Sequence, residues 1–135
     1  MGPRNLAVIL VVEDNEANQL LARSVLELDG YTVLMASSGD EALGRIAQTP
    51  PDLVLMDLQL PGRDGLSVTR ALKQDPATAG IPIVALTAHA MPGDRERALA
   101  AGCSGYIVKP IDTRTLGAEV REFLRPTGDR LTVSR

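Results

Sequence analysis

Apolar residues in this chain come in five short, nearly unbroken runs, at 6–12, 31–36, 53–56, 82–86 and 105–108. Runs of this length, rich in Val, Ile and Leu, predict strands covered on both faces. Each is followed by a segment with helical spacing. Asn15 opens a helix to about residue 29, with Leu21, Val25 and Leu28 on one stripe and Gly30 as its stop. Ser38 and Glu41 have capping-box spacing and open a helix to about Gln48, ahead of Pro50-Pro51. After the Pro- and Gly-rich loop "LPGRDG", a helix from about Asp64 to Gln74 ends before Pro76. Asp94 is expected to cap a helix that closes at Gly102, and a last helix covers about 113–125. Five β-then-α units predict one α/β domain, with a parallel sheet between two helix layers. The expected limits are a lead at 1–5, the domain at 6–125 and a polar tail at 126–135.

The polar residues that end these runs are the candidate chemistry. The first run ends in Glu13-Asp14, the third in Asp57, the fourth in Thr87 and the fifth in Lys109-Pro110. In a parallel sheet all four ends share one edge, where open α/β sheets bind ligands. Helix capping explains one acid after the first run well and two poorly. Three carboxylates at one edge make a seat for Mg²⁺, a hard cation that takes oxygen ligands. A carboxylate at a strand end, here Asp57, can attack a phosphoryl group and form an aspartyl phosphate. Lys109 and the metal would neutralise the charge that this attack brings together. The Thr87 hydroxyl would donate a hydrogen bond to a phosphoryl oxygen. Lys109-Pro110 is a candidate cis peptide.

Composition narrows the field. The chain has 135 residues and a net charge of −3, so no general nucleic-acid or membrane surface is expected. The apolar run at 6–12 is too short to cross a bilayer and no signal peptide is read. Cys103 is the only cysteine, which leaves no disulfide framework and makes a reducing cytoplasm the expected location. Cys103 itself reads as a small, semi-buried turn residue.

The segments "VVEDNEAN", "DLVLMDLQLPGRDG", "IPIVALTAHA" and "GYIVKPI" resemble, as an ordered set, the signature segments of response-regulator receiver domains of two-component signalling. The resemblance spans about residues 6–125 and implies a flavodoxin-like (βα)5 sandwich with strand order 2-1-3-4-5. It implies that Asp57 is the phosphoacceptor and that Glu13, Asp14, Asp57 and the backbone carbonyl of Gln59 hold Mg²⁺, with Mn²⁺ able to substitute. Thr87 would be the switch hydroxyl, Lys109 the phosphate-binding ammonium and Tyr106 the aromatic switch residue. Gln59 and His89 would flank the phosphoryl group and tune its hydrolysis. The implied donor is a sensor histidine kinase or a histidine phosphotransfer protein, and the output a protein partner bound through a phosphorylation-dependent surface. The "RERALAAG" helix is expected to belong to that surface.

Other readings remain. The chain is either a stand-alone receiver, which the Met start and short tail favour, or one excised from a hybrid histidine kinase. A small Mg²⁺-dependent aspartyl phosphohydrolase shares the chemistry. However, Asp57-Leu58-Gln59 has no second acid two residues on to act as general acid and base. A nucleotide or flavin module would want a Gly-rich loop after the first run, where acids stand instead.

Overall fold

Ile9 to Val12 are completely buried, as a β-branched central strand should be. A computed structural model describes residues 7–60, 62–88 and 92–124. It contains β1 (Val8–Val12), α1 (Glu16–Leu28), β2 (Thr32–Ala36), α2 (Gly39–Gln48), β3 (Leu53–Asp57), α3 (Gly65–Gln74), β4 (Ile83–Thr87), α4 (Asp94–Ala101), β5 (Gly105–Val108) and α5 (Leu116–Leu124). The strands are parallel in the order β2-β1-β3-β4-β5. The fold class, the flavodoxin-like topology and the five βα units expected from the sequence are all present.

Successive residues of a strand point to opposite faces, so each central strand feeds two cores. Ile9, Val11, Leu53, Leu55, Val84 and Leu86 pack with Ala22 and Leu26 of α1 and Leu116 and Val120 of α5. Leu10, Val12, Val54, Met56, Ile83 and Ala85 pack with residues of α2, α3 and α4, among them Ile46, Leu72 and Ala98. That is the three-layer sandwich. The burial of both sheet faces fixes the register of the strands, because a one-residue slip would exchange the two cores.

Four local expectations are corrected. Ala22 and Leu26 are the buried residues of α1, while Leu21 and Val25 are partly buried and Leu28 is 87% exposed. Ser38 does cap α2 by accepting from the Glu41 N–H, but Glu41 answers to the Ser37 N–H and not to Ser38, so the box closes one residue early. Gly93, in a left-handed conformation, is the cap of α4, and Asp94 is its first helical residue, paired with Arg97. The last helix also starts later than expected, at Leu116, after turns.

Gly102 ends α4 as expected, at φ 112°. A Cβ there would also lie 2.6 Å from Lys73 Cγ. Lys73 has little room to yield, since its Nζ donates to the carbonyls of Ala79 (2.9 Å) and Ile81 (2.6 Å). Gly102→Ala is therefore expected to cost about 2 kcal/mol, from the left-handed backbone and the displaced lysine. Chemical denaturation would check this, and an unchanged midpoint would contradict it.

Candidate functional site

The sheet ladder continues past the strands and holds the backbone at the end of each of these runs. Glu13 N–H donates to the Ala36 carbonyl (2.9 Å), Leu58 N–H to Leu86 (3.0 Å) and Lys109 N–H to Thr87 (2.7 Å). Asp57 is opposite Leu86, and Thr87 is opposite Val108. The four ends therefore share one edge, as the apolar runs imply.

Glu13, Asp14 and Asp57 converge there, each offering a carboxylate oxygen within 4.8 Å of the others. Glu13 and Asp57 are buried at 1% and 2% exposure, whereas Asp14 is open to solvent. Lys109 joins the two buried acids. Its Nζ lies 2.9 Å from Asp57 Oδ2, a hydrogen bond, and 2.8 Å from Glu13 Oε1. The second contact is a buried ion pair, and Glu13 Oε1 makes no hydrogen bond besides it. The other oxygens of these acids are held locally. Gln59 N–H donates to Asp57 Oδ1 (2.9 Å), and Asn15 N–H donates to Glu13 Oε2 (3.1 Å).

The electrostatics follow from burial and pairing. Burial pushes the Glu13 carboxyl above the usual carboxylate range. The Lys109 ammonium and the Asn15 amide offset part of this rise, and the charge on Asp57 adds to it. Burial alone would depress Lys109, but its two carboxylate partners outweigh this and hold the ammonium above its ordinary range. Lys109 therefore stays charged at neutral pH.

The donor set fits a hard dication. Three carboxylates against one ammonium leave two negative charges uncompensated within the cluster. Glu13 Oε1 has a free lone pair that a metal would use, and the ligands are all oxygen, which suits Mg²⁺ and Mn²⁺.

Thr87 is buried at 4% exposure at the end of β4, and Tyr106 is half-buried against the core on the α2–α4 side. His89 lies outside the described residues. The Lys109–Pro110 peptide is cis. Cys103 is buried, more fully than expected, and its thiol is pushed up by burial. The sequence alone did not point to Gln19. Its side-chain amide donates to the Glu13 carbonyl and to Ser37 Oγ (3.2 Å), tying the acidic end of β1 to the loop after β2. A helix-borne glutamine carries no local signal for such a role.

A family model described as response regulator receiver domain matches residues 9–121. The polar-differentiation response regulator DivK of Brucella ovis is 44% identical over 116 residues, covering 86% of this chain and 94% of that protein. A putative response regulator from Chloroflexus aurantiacus superimposes with a TM-score of 0.85 at 32% identity, over 89% of this chain and 98% of the other. The receiver domain of a Pseudomonas aeruginosa sensor histidine kinase superimposes at 0.81 with 36% identity, over 89% and 98%. That domain was solved with a magnesium ion coordinated in its active-site cleft.

Proposed function

This chain belongs to the response regulator receiver family, and on that basis we propose that it accepts a phosphoryl group on Asp57 and switches a partner-binding surface. The donor is a phosphohistidine, carried by a sensor histidine kinase or a histidine phosphotransfer protein. The observation that carries this reading is the grip on Asp57, with Gln59 N–H on one carboxylate oxygen and the Lys109 ammonium on the other.

A carboxylate oxygen of Asp57 attacks phosphorus in line with the histidine nitrogen. The new O–P bond forms as the N–P bond breaks, and the departing imidazole takes up a proton. Lys109 moves its hydrogen bond from Asp57 to a phosphoryl oxygen, and the rigid strand end limits the motion of the nucleophile. Glu13, Asp14, Asp57 and the Gln59 carbonyl would hold Mg²⁺, or Mn²⁺ in its place. When bound, the metal supplies positive charge that lets the phosphoryl oxygens approach the carboxylates. Thr87 then donates its hydroxyl to the phosphoryl group, and Tyr106 turns into the space that Thr87 leaves. Gln59 and His89 set the lifetime of the acyl phosphate. The protein promotes only its own phosphorylation and dephosphorylation, and acts on no other substrate. The switched surface includes α4 and β5, where Leu99 and Val108 are 42% and 40% exposed. No helix among the described residues is long and apolar enough to cross a membrane. The proposed place of action is the cytoplasm.

Intact mass after incubation with acetyl phosphate tests this reading. The wild-type chain is expected to gain one phosphoryl group with Mg²⁺ and none with a chelator. Asp57→Asn should gain none in either condition. An adduct on Asp57→Asn would contradict the assignment. Turnover of other phosphate esters by catalytic amounts of protein would favour a phosphohydrolase instead.

A further inference from the structure

Gly65 opens α3 and is buried. It is not among the glycines of positive φ, so its backbone conformation suits any residue. Space is what is lacking. A Cβ at this position would lie 2.3 Å from the Asp57 carbonyl oxygen, 3.0 Å from Leu58 Cα and 3.0 Å from Met56 Cγ. The nearest obstacle is the backbone of the nucleophile itself, which cannot turn aside as a side chain can.

That backbone is held from the opposite side as well, by the Leu58 N–H bond to the Leu86 carbonyl (3.0 Å). The first turn of α3 is equally fixed. Asp64 accepts from Ser67 N–H (2.9 Å), and the buried Thr69 hydroxyl donates to the Gly65 carbonyl (2.8 Å). The Asp57–Leu58 peptide is thus clamped between β4 and α3, and the clamp closes because residue 65 has no side chain. One residue on, Gln59 N–H reaches back to Asp57 Oδ1.

We infer that Gly65 is a positioning residue, which sets the Asp57–Gln59 turn and so aims both the nucleophilic carboxylate and the Gln59 carbonyl. The inference rests on the function proposed above for Asp57. Gly39 supplies a control, because a Cβ there would also be too close to its surroundings, 2.6 Å from Val68 Cγ2. Its nearest atoms, however, belong to Val68 and Arg63 and not to the site.

The test compares Gly65→Ala and Gly39→Ala with wild type, at a temperature where circular dichroism shows each to be folded. Mg²⁺ affinity is read by calorimetry, and the Gln59 amide by ¹⁵N-resolved NMR without metal. Gly65→Ala is expected to shift the Gln59 amide and weaken Mg²⁺ binding by roughly tenfold, as loss of a ligand's support does in other metal sites. Gly39→Ala should leave both unchanged. Equal effects from the two variants, or an unmoved Gln59 amide in folded Gly65→Ala, would overturn the inference. If Gly65→Ala does not fold, Thr69→Val carries the test, since it releases the first turn of α3. A smaller shift and weakening in the same direction are then expected, and no change in either would overturn the inference. Wild-type protein that binds no Mg²⁺ would contradict the proposed function, while the metal-free amide shift would still report on the clamp.

Discussion

Replacing Lys109 with alanine is expected to lower the rate of phosphoryl acceptance by about 100-fold or more, the scale seen when one preorganised donor to developing charge is removed. The same change should destabilise the metal-free protein by about 3 kcal/mol. Lys109 is the cation between two carboxylates whose side chains are only 2% and 3% exposed. Without it, both acids are left buried and facing each other, which costs more than the lost contacts themselves. Glu13 is already shifted toward its neutral form by burial, so it is the acid expected to take up a proton and limit the loss. Mg²⁺ should restore much of the stability, because a dication replaces the missing charge. It should not restore the rate, because the hydrogen bond to the phosphoryl oxygen stays absent. Urea denaturation with and without Mg²⁺, beside a phosphorylation time course, separates the two effects. Recovery of both by the metal would show that Lys109 acts only as a counter-charge.

Mg²⁺ itself is expected to stabilise the wild-type protein strongly. At about 100 times its dissociation constant, a ligand bound only by the folded state adds about 2.7 kcal/mol. For a chain of this size that corresponds to roughly a 10 °C rise in melting temperature. Asp14→Ala should remove most of this rise and leave the metal-free melting temperature close to wild type. The reason is that Asp14 joins the carboxylate cluster from an exposed position and so has little part in the metal-free fold. Scanning calorimetry at several Mg²⁺ concentrations checks both halves. A full Mg²⁺-induced rise in Asp14→Ala would take that residue out of the metal site.

Much of the fold was legible because parallel strands buried on both faces leave unbroken apolar runs, and five such runs can be seen without an alignment. The edge cluster was legible for a related reason. A polar residue that ends a buried run must sit where the sheet stops, so Glu13, Asp57, Thr87 and Lys109 declared their shared position. What local pattern could not decide was left to tertiary packing. Helix α1 carries two apolar stripes one residue apart, and the one through Leu21, Val25 and Leu28 is the bulkier. The core instead takes Ala22 and Leu26, since a small residue lets the helix approach the sheet closely. At α4, the left-handed Gly93 took the capping position that the acid next to it suggested for Asp94. The double grip of Lys109 on Glu13 and Asp57 needs distances that no spacing supplies. Nor does sequence show that Gly65 is pressed against the carbonyl of a residue eight positions earlier.

The most direct test of the central claim is to trap the phosphorylated side chain. An aspartyl phosphate is reduced by borohydride to homoserine, whereas phosphate esters on hydroxyl residues are not. After phosphorylation with Mg²⁺ and reduction, peptide mass spectrometry is expected to find homoserine at position 57 and nowhere else. Homoserine at another aspartate, or an unreduced phosphate on a serine or threonine, would contradict the account.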